Sequence, residues 1–250
     1  MPRDIVTSEQ QLKRQLSWLG ETWQWVLRNK VLNGPDPFSG RPTALDVGCG
    51  PGLVMDLLSP LMDITGTDID PMMVRKAKGR GLNVVQGDAM ALPFDDRSFD
   101  IVYCSFTLLW VRDPAKAVEE MARVSRRYVI CLAEPDYGGR ICCPQEVAEL
   151  DGHLTDSLIE EGADPFVGRK LTQLMKGAGL TVESGVHEGL WSSEQLMKEA
   201  DAEWLSIADA VRGRASDAEV EKAKLAWDRG VADGSLFLFN PVLYAIGRKR

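Results

Sequence analysis

The chain has 250 residues, with 29 Lys and Arg against 37 Asp and Glu, for a net charge of −8 with histidine neutral. A composition of 44% hydrophobic and 26% charged residues is that of a globular domain and excludes a disordered chain, and the acidic balance argues against nucleic acid held on a broad basic surface. No run approaches the ~18 apolar residues of a bilayer span, the opening MPRDIVTSEQQLKRQ has no apolar signal stretch, and five cysteines, an odd and low number, point to reduced thiols in the cytoplasm.

Residues 8–32 predict a helix, because Leu12, Leu16, Leu19, Trp23 and Val26 recur at steps of four and three. Trp18 and Trp25 lie off that stripe, so two faces are expected to be buried. Gly34-Pro35-Asp36-Pro37 ends the helix. From residue 43 short apolar runs alternate with helical patterns. Strands are expected at Thr43–Val47, Asp63–Thr67, Asn83–Gln86, Ile101–Cys104 and Tyr128–Ala133. Helices are expected near 52–59, at Pro71–Lys78, and from Pro114 to about 125 behind an Asp113 cap. Alternation at this spacing predicts a parallel sheet covered on both faces.

Further on, Val147, Leu150, Leu154 and Leu158 mark a helix, Asp164–Lys176 another, and Thr181–Val186 a sixth strand. Helices over 192–212 and 216–229 open with Ser192–Gln195 and Ser216–Glu219 in capping-box spacing. Phe237–Ile246 is the expected final strand. The fold class is therefore α/β: a doubly wound, mostly parallel, seven-stranded Rossmann-like sheet in a single domain, 1–250. Within it, 1–40 would be an N-terminal helical lid, 41–190 a cofactor-binding core, 191–235 a helical cap and 236–250 the last strand.

Chemistry concentrates first in Leu45-Asp46-Val47-Gly48-Cys49-Gly50-Pro51-Gly52, a strand entering a glycine turn before a helix. Such a turn approaches a ligand closely and offers free N–H groups. A dinucleotide fingerprint would need a glycine at Leu53, which argues against a nicotinamide cofactor. Asp68, about twenty residues on, stands where an acidic side chain accepts from both ribose hydroxyls. Asp70, before Pro71, reads as a helix cap.

LDVGCGPG, TGTDIDPMMVRKAK, VVQGDAMALPFDDRSFDIVYCSF and VRDPAKAVEEMARV, in this order, resemble the successive motifs of class I S-adenosylmethionine (SAM) methyltransferases. The resemblance is to the methyltransferase type-11 branch that includes the ubiquinone- and menaquinone-biosynthesis enzymes. It covers roughly residues 43–135 and more weakly 136–186. It implies that Asp46, Gly48, Cys49 and Gly50 face the methionine part of SAM and that Gly52 permits the turn into the helix. It also implies that Asp68 holds the ribose, Ile69 packs on the adenine, Asp88 and Ala89 meet the adenine edge, and Ser105 sits near the sulfonium, with Phe106 at the substrate entrance. The chain departs from many relatives at Ser125-Arg126-Arg127, where they have a Pro-Gly-Gly turn.

Methyl transfer asks a protein to align the acceptor, exclude water and, for a protonated acceptor, supply a base. Tyr137, Glu134 and His153 are the candidate catalytic groups. Trp18, Phe106, Trp110, Tyr137 and Arg140 are candidates for binding substrate, with Asp136 beside them. A plain turn at Gly138-Gly139 with a solvated Arg140 is the alternative for that loop. Trp191 could also wall an aromatic acceptor, whereas Trp204 and Trp227 read as core. His187 reads as structural. Cys142-Cys143 could bind a soft acceptor such as trivalent arsenic, but small apolar filler is the simpler reading. The histidines and cysteines have no metal-site spacing. The expected function is SAM-dependent transfer of a methyl to a small-molecule acceptor, leaving S-adenosylhomocysteine. The competing readings are a protein or RNA methyltransferase and a SAM-binding regulatory protein without catalysis. No Asn/Asp-Pro-Pro-Tyr motif is present, which argues against adenine-N6 methylation of DNA.

Overall fold

The computed structural model describes residues 9–34, 38–187 and 193–249. The first helix, α1 (Glu9–Val26), widens into a π turn over Leu27–Leu32. Then follow β1 (Thr43–Val47), α2 (Leu53–Leu58), β2 (Asp63–Asp68), α3 (Pro71–Gly79), β3 (Val84–Gln86) and β4 (Phe99–Ser105). Next come α4 (Pro114–Val124), β5 (Ser125–Pro135), β6 (Ile141–Cys143), α5 (Gln145–Ala148), α6 (Asp151–Glu160), α7 (Leu171–Gly177) and β7 (Thr181–Val186). The described chain closes with α8 (Ser193–Ala210), α9 (Asp217–Asp233), β8 (Phe237–Phe239) and β9 (Val242–Arg248). No described helix is long and apolar enough to cross a membrane.

The expected seven-stranded sheet forms, in the order β3-β2-β1-β4-β5-β9-β7. The β3, β2, β1, β4 and β5 strands pair in parallel, and β9 runs antiparallel between β5 and β7. Strand order reverses between β1 and β4, which opens a crevice at their carboxyl ends, the place where sheets of this kind bind ligands. Successive residues of β4 serve opposite layers. Val102 and Cys104 pack with α4 and α7 through Val118, Met121, Leu171 and Met175. Ile101 and Tyr103 pack under Leu19, Trp23, Leu27 and Val31 of α1 and its π turn. The C-terminal half of α1 is thus a layer of the core, while Trp25 stays 56% exposed.

A third core lies apart from the sheet. Leu150 and Leu154 join Leu196, Trp204, Ile207, Ala223 and Trp227, and the Trp204 and Trp227 rings stand 5.8 Å apart. Both tryptophans are core, as expected. This small core draws on α5 and α6 as well as on the 191–235 segment. It includes Leu238 of β8, which pairs with β6 in a separate two-stranded ribbon.

Several elements differ from expectation. The helix expected through Val147–Leu158 is two, α5 and α6. The one expected from Asp164 begins at Leu171 after a short 3₁₀ turn, because Asp164 instead accepts from Phe166 N in a tight turn. The final strand breaks at Asn240-Pro241, since proline has no N–H for the ladder, so Phe237–Phe239 and Val242–Arg248 belong to different sheets. At Ser125-Arg126-Arg127 the chain passes directly from α4 into β5 with no turn.

The Asp113 and Asp70 caps are present, accepting from Lys116 N at 3.0 Å and Met72 N at 2.7 Å. The Ser192–Gln195 capping box and Trp191 fall outside the described residues. The second box is complete: Ser216 N donates to Glu219 Oε2 at 2.8 Å and Glu219 N donates to Ser216 Oγ at 3.3 Å. Ser216→Ala is therefore expected to lower stability by about 1 kcal/mol, read as a lower urea midpoint with an unchanged slope.

Candidate functional site

The β1 strand carries Asp46 to the carboxyl edge of the sheet and the chain then turns through Gly48, Cys49 and Gly50. Gly48 and Gly50 have φ of 74° and 54°, in the left-handed region that favours glycine. A side chain at Gly48 would run into Thr107, which follows β4. One at Gly50 would project into open space, with only Leu12 of α1 nearby at 3.9 Å. The turn is fixed from the next strand: Gly48 N and Cys49 N both donate to Thr67 O, at 2.8 and 3.0 Å. Asp68, the last residue of β2, accepts from Gly50 N at 2.8 Å and Asp70 N at 2.9 Å. Ile69 beside it is 64% exposed. Gly87 N donates to Asp68 O, which sets the half-buried Asp88 and Ala89 next to this edge. Asp88 Oδ1 accepts from Met90 N at 2.8 Å.

Asp46 is 1% exposed and neither carboxylate oxygen has a hydrogen-bond partner among the described residues. Burial pushes its pKa up to about 8; the Tyr103 hydroxyl opposes the rise without reaching hydrogen-bond geometry, and the charge of Asp68 adds to it. Burial likewise raises Asp68, against the backbone N–H groups of Asp70, Gly50 and Ile69 that lower it. An orphaned buried carboxylate, an open glycine cradle and an acidic strand end with an exposed apolar neighbour suit a ligand with a cationic end, a ribose and a flat ring. The residues present therefore fit SAM.

The β4 strand delivers Ser105 and Phe106 to the same edge. Phe106 has φ of 49°, uncommon for an aromatic residue and a sign of a position held by its surroundings. Phe106 N donates to Ala133 O at 2.7 Å, and the ring lies 6.3 Å from Trp23. Phe106 also borders a cavity of about 100 Å³. Trp18, Pro135, Pro241 and Val242 give this cavity its other apolar surfaces, and Arg14, Asp136, Tyr137, Arg140 and Glu203 its charged and polar ones. Of the expected substrate residues, Trp18, Phe106, Tyr137 and Arg140 come together here, while Trp110 packs against the sheet core beyond β4.

The candidate bases occupy different places. Glu134 is fully buried and accepts from Thr107 N, Leu108 N and Leu109 N at 2.9, 2.8 and 3.3 Å. It thereby anchors the loop after β4. Burial pushes its pKa up to about 7, and those three donors hold it from rising further. Tyr137 lines the cavity with a pKa raised chiefly by burial, so it presents a protonated phenol. His153 sits half-buried on α6, away from the cavity lining. His187 is 3% exposed, its Nε2 is 2.6 Å from Leu132 O, and burial lowers its pKa, as befits a structural residue. Cys142 and Cys143 are adjacent on β6 and so face opposite sides, which prevents joint capture of one soft atom. Among the described residues no group of three His, Cys, Asp or Glu could hold a metal ion.

The sequence did not single out Arg14, Glu203, Asn240 or Pro241. A signal existed for two of them. Arg14 interrupts the face between Leu12 and Leu16, and Glu203 adjoins the buried Trp204. They meet across the cavity, with Arg14 Nη2 donating to Glu203 Oε2 at 2.7 Å.

Residues 45–132 match the family described as "Methyltransferase domain". The chain is 36% identical over 168 residues to an uncharacterized protein of a Streptomyces fradiae transposon, covering 60% of this chain and 47% of that one. It is 38% identical over 132 residues to a demethylmenaquinone methyltransferase of Roseiflexus castenholzii, covering 50% of each. The chain thus spans about half the length of these relatives. Among solved structures, one described as a putative methyltransferase from an antibiotic biosynthesis pathway of Anabaena variabilis superposes with a TM-score of 0.64. That superposition covers 91% of this chain and 96% of that one at 13% identity, and so bears on the fold alone. The glycine turn, Asp68 and the Asp88 loop all lie inside the segment that matches the methyltransferase domain family, and the same part of the chain is similar to demethylmenaquinone methyltransferases.

Proposed function

We propose that the protein transfers the methyl group of SAM to a small-molecule acceptor held in the cavity beside Phe106. The observation that carries this reading is the cavity itself. It adjoins the residue that follows Ser105, and α1, α8 and the chain between β8 and β9 all contribute to its walls. A macromolecular acceptor would call for an open groove. The name of the Roseiflexus relative also points to a small acceptor.

SAM would supply an already activated methyl group. The work left to this chain is to bind, orient and dry the site, and alignment alone can contribute ~7–11 kcal/mol. Asp46 and the Gly48–Gly50 turn would take the charged methionine end, Asp68 the ribose, and Ile69, Asp88 and Ala89 the adenine. Trp18 and Phe106 would press the acceptor against the reacting edge. The N-terminal half of α1, with Leu12 over Gly50, would act together with α8 and α9 as the lid that excludes water. Because Glu134 already accepts three backbone hydrogen bonds, its role would be to hold the Thr107–Leu109 loop; Tyr137, a protonated phenol, would donate a hydrogen bond to the acceptor, and a proton the acceptor must lose would pass to water. The free cysteines, including Cys104 and Cys131 with sulfurs 3.7 Å apart, suit a reducing cytoplasm.

The test is to incubate the protein with methyl-labelled SAM and fractionated cell extract. Label is expected in the small-molecule fraction. Label in protein or RNA would replace this reading with a macromolecular one, and tight cofactor binding with no transfer to any fraction would leave a SAM-binding regulator.

A further inference from the structure

The most demanding group in the cavity is Arg140. Its side chain is 4% exposed, and Nη1 lies 3.3 Å from Asp151 Oδ1. Nε and Nη2 are buried and have no hydrogen-bond partner among the described residues. These two nitrogens share one edge of the planar guanidinium, the edge that grips a carboxylate side-on with two parallel hydrogen bonds. The same protein shows that grip nearby. Arg169 donates through Nε and Nη2 to the two oxygens of Asp136, both at 2.7 Å. Buried donors are ordinarily paired, so an arginine edge left unpaired on a residue that lines the cavity calls for an acceptor of matching shape.

The other charged groups around the cavity narrow the choice. Arg14 is already engaged, with Nη2 on Glu203 at 2.7 Å and Nε 3.2 Å from Glu199. Asp136 is held by Arg169. Asp151 meets Arg140 at Nη1, and Glu203 lines the same cavity; both are acidic. A singly charged, planar anion suits that setting, whereas a phosphate dianion would meet two carboxylates. Beyond the charged end, Trp18, Phe106 and Pro241 offer an apolar wall.

We propose that the methyl acceptor carries a carboxylate, gripped side-on by Nε and Nη2 of Arg140, on an apolar body that lies against Trp18 and Phe106. This assignment rests on the methyltransferase reading, since it names the acceptor class of the same cavity. The carboxylate is the handle by which the acceptor is held and oriented.

The experiment is calorimetric titration of the full chain, saturated with S-adenosylhomocysteine, using benzoate and 2-naphthoate, their uncharged amides, and 2-naphthyl phosphate. At least one carboxylate is expected to bind roughly 30-fold more tightly than its amide, as a charge-assisted bidentate pair should. Arg140→Gln should abolish that preference and leave S-adenosylhomocysteine affinity unchanged. Should Arg140→Gln fold poorly, Arg140→Lys keeps the charge without the fork and should lose about tenfold of the preference. Equal binding of acid and amide, no carboxylate binding at millimolar concentration, a stronger phosphate, or an acid preference that survives both substitutions would overturn the assignment. Wild-type protein that fails to bind S-adenosylhomocysteine would instead sink the cofactor reading, and the two failures are read separately in the same samples.

Discussion

Asp68→Ala is expected to weaken S-adenosylhomocysteine binding by roughly 100-fold, because a carboxylate accepting from two ribose hydroxyls contributes through two charge-assisted hydrogen bonds of about 1.5 kcal/mol or more each. The same carboxylate holds Gly50 N and Asp70 N, so its loss should also loosen the Gly48–Gly50 turn. Asp70→Ala is the matched control. The Asp70 side chain accepts from Met72 N, as the cap of α3, and its loss should cost about 1 kcal/mol of stability while cofactor affinity stays near wild type. Calorimetry on the three proteins separates the two roles. Equal affinity in wild type and Asp68→Ala would place the ribose elsewhere, and equal losses in both variants would mean that the turn, not the ribose contact, was being measured.

The distribution of roles along the chain explains which features could be read from the sequence. The cofactor edge is local. Asp46, the glycine turn and Asp68 lie within about twenty-five residues of one another, and each needs a particular residue type at a particular strand end. Periodicity likewise sufficed for the sheet, because buried parallel strands are short apolar runs. The cavity beside Phe106 is assembled instead from distant segments: Arg14 and Glu203 are 189 positions apart and meet only in the folded chain. No local pattern ties them together, and a charged residue within an apolar stripe reads from sequence as a solvated interruption. The same limit applies to Glu134. Its position after the fifth strand made it a candidate catalytic group, yet three backbone N–H groups of a loop 25 to 27 residues away converge on it. The break at Pro241 had a local cue, since a proline inside an expected strand argues for an end or an edge.

Asp46→Asn should separate stability from binding. In the folded protein the buried Asp46 carboxyl keeps its proton up to about pH 8, whereas in the unfolded chain it ionises in the ordinary carboxylate range. Between those limits the folded state binds more protons than the unfolded state, so stability falls as pH rises through the window. Glu134, pushed up to about 7 by burial, contributes with the same sign. Asp46→Asn removes the larger share of that slope, so it should melt above wild type at about pH 9 and approach it near about pH 4, with Glu134 leaving a smaller residual slope. Ligand binding should move the other way. A cationic group placed beside Asp46 favours the carboxylate, so S-adenosylhomocysteine binding at about pH 7 should release close to one proton per site. That release appears as a binding enthalpy that depends on the ionisation heat of the buffer. In Asp46→Asn the dependence should vanish and affinity should drop by roughly 100-fold, as when one partner of a buried charge pair is removed. A variant that is more stable at alkaline pH, binds the ligand weakly and shows no proton release would establish that Asp46 is kept uncharged in the free protein and ionises against the cofactor. Unchanged affinity with no buffer dependence in wild type would put the cationic end of the ligand away from Asp46.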